Sequence, residues 1–554
     1  MSKKSAQAPR NPSATATPAA QPTSPSSAGI GKDTFFRVGL GLFFLAGALL
    51  FKARLDLMGD DADYILDAWN FVHTNTYPAF RASLYGLTLG LPVALFGTNV
   101  ILLKCFSFAC AIAAWVLLYR AFRDRVPAIV LYPVLIFSAI SHQIQYYSSS
   151  NLSEAFFMMI QYGYLALIFA LISRLGEPGK HTRHWVLTGL GGLLLSLSKN
   201  VAVAAPISLS VYFLLKKQWK RAGLSLGVFL LFKFAYDFLI RLIYGAATVV
   251  GQMGQVMAKD MYHPEYGTED FAGFLNRFWQ NMQIYFSGTT MRALGINIGE
   301  GRIDEGGTII TALIIGALML YALRVAFVRK NDYMLLAGLY TGVMTVVTFF
   351  ALQPAVAQDR IAIILVPLYL MLMLYALYDL ATRFAGSAAK WLMGVPMAII
   401  GILVLINTGK EIEKSFPELT ENLAGDTFYG YTPDWMDYLE MGQWVAENIP
   451  ADSVVAARKP NSLTVYTNGR PFYGIYKFPT DKSADELLEI LKQDRVSYMI
   501  LASIRINPEQ YIPNYYISTL HNWVSKIAQK YPEKIKMIHQ TKGPEPSYLV
   551  KIEY

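Results

Sequence analysis

Apolar positions along this chain gather into long unbroken runs. They cover about 35 to 51, 99 to 119, 127 to 141, 153 to 173, 185 to 198, 200 to 215, 222 to 243, 308 to 327, 333 to 352, 361 to 380 and 390 to 408. A segment in lipid must satisfy its own backbone hydrogen bonds, so apolar runs near ~20 residues predict membrane-crossing helices. The eleven runs predict about eleven crossings. A further apolar piece, Leu84 to Phe96, is shorter than a full span and is expected to dip into the membrane or lie flat on it.

Polar positions between the runs set the expected orientation. Arg120, Arg123 and Arg125, then Arg174, Lys180 and Arg183, then Lys216, Lys217, Lys220 and Arg221, then Arg324, Arg329 and Lys330, then Arg383 and Lys390 fall in every second connection. By the positive-inside rule those connections are cytoplasmic. The remaining connections, 52 to 82, 142 to 152, the neighbourhood of Lys199, 245 to 307 and 353 to 360, are neutral to acidic and are expected outside, as is everything after residue 410. An odd number of crossings satisfies this arrangement.

The two ends of the chain read differently. Residues 1–33 are rich in Pro, Ser, Ala and Thr and hold too few large apolar residues to bury a core, which predicts a disordered cytoplasmic tail. Residues 34–410 form the expected transmembrane domain, and residues 411–554 an extracytoplasmic α/β domain. In the latter, "PDWMDYLEMGQWVAENIP" has helical periodicity bounded by prolines, and "SVVAAR" and "VSYMILA" read as strands. "SADELLEILKQD" reads as a helix opened by Ser483, and "YLVKIEY" alternates as an edge strand would. No nucleophile elbow, Cys/His pair or phosphate loop appears there, so a lid or acceptor-docking role is expected.

Composition agrees with a polytopic membrane protein: 54% of the 554 residues are hydrophobic, 16% are charged, and the mean hydropathy is +0.33. The net charge of +9 lies mostly on the cytoplasmic side, where anionic lipid attracts it, and no basic stretch interleaves with aromatics as a nucleic-acid groove would. Cys105 and Cys110 share one apolar run on different helix faces, which implies neither a disulfide nor a metal site.

Candidate chemistry begins at "LDLMGDDADYILDAWNFV", where Asp60, Asp61 and Asp63 crowd the surface just after the first run. The stretch continues as an amphipathic helix with Tyr64, Trp69 and Phe71, suited to the membrane interface. Carboxylates held there would face amphiphilic substrates at headgroup depth. Solvated acids in a surface turn are the plainer explanation of the same pattern.

The segment resembles the first outer loop of GT-C glycosyltransferases, specifically the family 39 protein mannosyltransferases and the related aminoarabinose transferases. Their Asp-Glu-x-x-Tyr pattern is met by Asp60, Asp61 and Tyr64, with Asp in place of Glu. Their Lys-Pro-Pro-Leu-Tyr stretch before an apolar run is met by "RASLYGLTLGLPVALFG", which supplies Arg81, Leu84, Tyr85 and Gly97 but lacks both prolines. Lys104 occupies the position of a basic residue usual after that glycine. "SSSNLSEAFFMMI" places Glu154 at an acid that begins a span, "LLLSLSKNVAVAAPISLS" places Lys199 in a Thr-Lys-Gly-like turn, and "AQDRIAIILVP" places Arg360 at a late conserved-type arginine.

The resemblance implies a GT-C fold and an enzyme that transfers a sugar, with inversion, from a polyprenyl phosphate donor to a glycan, lipid or protein acceptor on the extracytoplasmic face. A bacterial plasma membrane is its implied location, and membrane lipid its other partner. Asp60 is then the base for the acceptor hydroxyl; Asp61 orients Asp60, orients the acceptor or helps bind a divalent metal. No cofactor is otherwise implied. Arg81, Lys199, Arg360 and Lys104 would hold the donor phosphate, although snorkelling to headgroups explains any one such cation. Tyr64, Tyr85, Glu154 and His263 would line the site, His263 from the long 245 to 307 loop. A membrane transporter would show internal repeats and ions at mid-membrane, whereas the ions here gather at the outer ends of the runs. A ligase or polymerase of surface polysaccharide would differ in donor rather than in membrane logic.

Overall fold

A computed structural model describes residues 31–57, 60–175, 181–245, 253–260, 263–295, 308–354, 359–513 and 515–554. The tail expected over 1–33 lies outside the described residues up to position 30, as do Lys180 and parts of the 245 to 307 loop. The first helix already begins at Lys32.

Each of the eleven apolar runs coincides with helix. In chain order the first ten helices are α1 (Lys32–Leu49), α2 (Asp61–Thr74), α3 (Ser83–Phe96), α4 (Val100–Phe122), α5 (Ala128–Ile140), α6 (His142–Ser148), α7 (Ser153–Arg174), α8 (Thr182–Ser198), α9 (Ala204–Leu215) and α10 (Trp219–Tyr244). Long helices follow at Ile309–Val328, Asp332–Ala351, Val366–Ala385 and Ala389–Ala424. Among the described residues, five stretches are long and apolar enough to cross a membrane: α4, α7, Ile309–Val328, Asp332–Ala351 and Val366–Ala424. A sixth is the pair α5 and α6, bent by 65° at Ser141. These helices mark an integral membrane protein, with fewer unambiguous spans than the eleven runs predict. Several remaining helices are short or carry ions; α10 holds an internal Lys233–Asp237 pair and α9 has only 12 residues.

The short α3 meets the expectation for Leu84 to Phe96. Its 14 residues rise about 21 Å, less than a bilayer core of ~30 Å, and it packs along α2. Leu91 and Leu95 stay 69% and 66% exposed, an apolar flank suited to lipid. The helix Ala389–Ala424 does the opposite: its 36 residues rise about 54 Å, so it outruns the membrane and carries Glu411 and Glu418 toward the C-terminal domain. The change in composition near residue 411 therefore falls inside a helix, not at a break.

The C-terminal domain is a five-stranded sheet of β1 (Val454–Ala457), β2 (Tyr473–Gly474), β3 (Val496–Leu501), β4 (Ile535–Gln540) and β5 (Tyr548–Ile552), in the order β2-β1-β3-β5-β4. β2, β1 and β3 run parallel, while β5 lies antiparallel between β3 and β4. The final strand is thus interior rather than an edge, because β4 pairs outside it. The helix Ala484–Gln493 is opened by Ser483, as the sequence led us to expect, and Glu486 completes a capping box with it. The domain is seated directly on the helical bundle. The Leu55 amide donates to the Tyr466 hydroxyl at 3.0 Å, and the Thr98 hydroxyl donates to the Val465 carbonyl at 2.7 Å.

Candidate active site

The site is built around the N-terminus of α2. Asp60 caps this helix without a side-chain cap bond, so its carboxylate is free to point elsewhere. Asp60, Asp63, Tyr64 and Asp67 follow the i, i+3, i+4, i+7 spacing that gathers side chains on one helical face. α2 ends at Asn75 in the left-handed conformation (φ 52°). The chain then runs back along the helix, and Arg81 returns to that acidic face just before α3. Its guanidinium lies 2.6 Å from Asp63, 3.2 Å from Asp60 and 4.0 Å from Asp67, above the Tyr64 ring at 5.3 Å.

A second cation reaches Asp60 from far along the chain. Arg360, in the short helix Asp359–Ile363, places Nη2 2.7 Å from Asp60 Oδ2 and Nε 4.0 Å from Glu154 Oε1. Glu154 stands in the first turn of α7, 1% exposed, and Lys199 at the end of α8 donates to it at 2.7 Å. Acids and bases therefore alternate in one chain of contacts, Lys199, Glu154, Arg360, Asp60, Arg81, Asp63. A buried brace supports the segment that carries Arg360: Gln161 donates to the Ile364 carbonyl at 2.8 Å and accepts from the Tyr340 hydroxyl at 2.9 Å.

The electrostatics differ from one carboxyl to the next. Burial pushes Asp60 upward, but Arg360 and Arg81 outweigh it and hold the group below the usual carboxylate range. Asp67 is pushed up to about 6, by burial first, with Arg81 opposing and Asp63 and Asp60 adding to the rise. Burial likewise raises Asp61, against the opposing charge of Lys104. The guanidinium of Arg360, burial notwithstanding, is held more firmly protonated by Glu154 and Asp60.

Three of the expected site residues, Asp61, Lys104 and His263, are placed apart from this cluster. Asp61 points to the other side of α2, 0% exposed, where Lys104 (1% exposed) meets it at 3.2 Å. Neither reaches the surface, so the pair is a buried tie between α2 and α4, whereas the sequence led us to expect Asp61 to orient Asp60 or the acceptor or to help bind a metal, and Lys104 to hold the donor phosphate. His263 is exposed, 2.9 Å from Glu265 and stacked on Tyr266, with no contact to the Asp60 cluster. Tyr64 and Tyr85 are brought together edge to face at 5.2 Å; the Tyr64 hydroxyl donates to Ser153 at 3.3 Å, and Tyr85 shares a 2.9 Å hydrogen bond with Ser107. Their buried hydroxyls brace α2 and α3 against α7 and α4.

The structure also adds residues. Asp63 and Asp67 belong to the acidic face, as their helical spacing from Asp60 signals. Asn461, from the C-terminal domain, donates to Asp63 at 2.6 Å, and no local pattern announces it. Among the described residues, no group of three or more His, Cys, Asp or Glu side chains is arranged to hold a metal ion.

No family model and no curated protein matches the chain. Solved structures do. ArnT from Cupriavidus metallidurans in the apo state superposes with a TM-score of 0.53 at 11% identity, over 93% of this chain and 97% of that one. The oligosaccharyltransferase AglB from Archaeoglobus fulgidus, in complex with an inhibitory peptide and a dolichol-phosphate, gives 0.51 at 13% identity, over 84% of this chain and 69% of that one. At such identities the likeness is one of fold, and it extends over the helical bundle and the C-terminal domain together: the chain shares its fold with ArnT and with AglB.

Proposed function

We propose that this protein transfers a sugar from a polyprenyl phosphate carrier to an acceptor hydroxyl or amide at the extracytoplasmic face of the membrane. One observation carries the reading: a carboxylate, Asp60, is gripped between two arginines where the bundle meets the C-terminal domain. A glycosyl phosphate at the bilayer surface needs both a base for the incoming acceptor and cations for the departing phosphate. The fold shared with ArnT and with AglB, which is seen with a dolichol-phosphate, supports the lipid-linked donor.

In this mechanism the acceptor oxygen attacks the anomeric carbon as the bond from that carbon to the phosphate oxygen breaks. The electron pair leaves with the phosphate, giving polyprenyl phosphate, and the acceptor proton passes to Asp60. The single displacement inverts the anomeric centre. Arg81 and Arg360, with Lys199 behind them, take the charge growing on the leaving phosphate. A donor phosphate at Arg81 and Arg360 would also compete with Asp60 for them. Losing those partners raises the basicity of Asp60, so the base is armed once the donor is seated. Asp61 and Lys104 act through packing, and Asp63 positions Arg81.

The C-terminal domain, placed outside the membrane in this reading, covers the site and borders the path of the acceptor. Purified protein in liposomes, given a polyprenyl phosphate sugar of known anomeric configuration and cell-envelope acceptors, tests the proposal. Release of polyprenyl phosphate with an inverted product is expected. Retained configuration, or transfer only from a polyprenyl diphosphate sugar offered in parallel, would contradict it.

A further inference from the structure

Lys459 lies in the C-terminal domain, two residues before Asn461, which bonds to Asp63 of the acidic face at 2.6 Å. Its backbone N–H donates a hydrogen bond to the buried Tyr438 hydroxyl at 3.0 Å. The side chain is half-buried, yet among the described residues it forms no ion pair. Asp63, Asp56 and Asp60 are near enough for their charges to bear on it, while burial and the adjacent Arg458 act to expel its proton. Each of those carboxylates is already engaged: Asp60 by Arg81 and Arg360, Asp63 by Arg81 and Asn461, and Asp56 by the Tyr146 hydroxyl at 2.6 Å. A half-buried ammonium at the rim of a charged cluster, with no anion of its own, is costly to hold unless an anion arrives.

We propose that Lys459 is a contact for the donor phosphate, delivered by the C-terminal domain to the site where it meets the bundle, with Asn461 fixing its approach. This rests on the lipid-phosphate reading above and extends it, because the C-terminal domain then supplies part of the donor site instead of only covering it. The ammonium would approach the phosphate from the side opposite the bundle, where Arg81 and Arg360 bind it, and so close the cation ring around the leaving group.

Farnesyl phosphate, with uncharged farnesol as control, can be titrated by calorimetry into the full-length protein in detergent. Lys459→Gln is expected to weaken farnesyl phosphate roughly ten-fold to a hundred-fold, the range for one charge-assisted contact, and to leave farnesol unchanged. Lys459→Arg is expected to keep most of the phosphate affinity. Lys459→Met, which preserves the apolar stem, replaces the Gln variant if melting shows that variant unfolded. Unaltered farnesyl phosphate binding in the neutral variants would overturn the role of Lys459 alone, as would equal losses for phosphate and alcohol. Failure of the wild-type protein to prefer the phosphate over the alcohol would overturn the lipid-phosphate reading, and this inference with it.

Discussion

Asp67 sits on the same helical face as Asp60, seven residues on, but its environment drives it the other way. Its carboxyl titrates near 6 in the fold, against an ordinary value of 3.8. The sign of the linkage follows: a raised folded pKa means that the protonated form favours folding, fully so below pH 3.8, and that this contribution is lost as pH rises through about 6. Asp67→Asn removes the titration while keeping shape. The melting temperature of the wild type, relative to this variant, should therefore fall as pH is raised from 4 to 7; a constant difference would show that Asp67 titrates normally. At this scale much of the site was legible. Asp60, Arg81, Glu154, Lys199 and Arg360 carry recognisable residue types at span ends, and Asp63 and Asp67 lie at helical spacings from Asp60. The inward turn of Asp61 and Lys104 was not legible, because sequence shows that a charge is near the interface but not that it faces inward against a partner.

Between elements, the junction of bundle and C-terminal domain turns on Arg54, in the segment joining α1 to α2. It is 1% exposed, 2.8 Å from Glu418 of the long helix and 3.5 Å from Glu509 of the C-terminal domain, and it lies over the Tyr431 ring at 4.3 Å. Lys52 adds a 3.0 Å pair to the same Glu509. One buried guanidinium thus joins three parts of the chain. Arg54→Met keeps the apolar stem and removes these bonds, which should cost about 1.5–3 kcal/mol. The C-terminal domain should become more readily cleaved by protease while the bundle stays intact. Unchanged cleavage and melting would mean that packing alone seats the domain. The helices that carry the apolar runs were legible because each run falls on helix, although their bounds differ. The continuation of Ala389–Ala424 beyond the membrane was not, since composition changes within a helix without ending it. The interior place of β5 was equally hidden, because β4, which pairs outside it, is a short strand of mixed character, with Ile535, Met537 and Ile538 among Lys536, His539 and Gln540.

At the scale of the whole molecule, the site is assembled from segments no local pattern connects. Asp63 and Asn461 are 398 residues apart in sequence, and Arg360 reaches Asp60 from the far half of the bundle. The sequence led us to expect a C-terminal domain that covers the site without sharing in it; in the fold, Asn461 bonds directly to the acidic face. The proposed division of labour, cations for the phosphate and Asp60 for the acceptor proton, makes binding and turnover separable. Asp60→Asn removes the base and also removes the anion that competes for Arg81 and Arg360. The most direct measurement is therefore donor affinity and transfer rate in the same purified Asp60→Asn protein. Polyprenyl phosphate sugar should bind as tightly as to the wild type or more tightly, while the transfer rate falls by about 10²–10⁴, the contribution of a positioned general base; near-normal transfer, or loss of donor binding in a folded variant, would contradict the assignment.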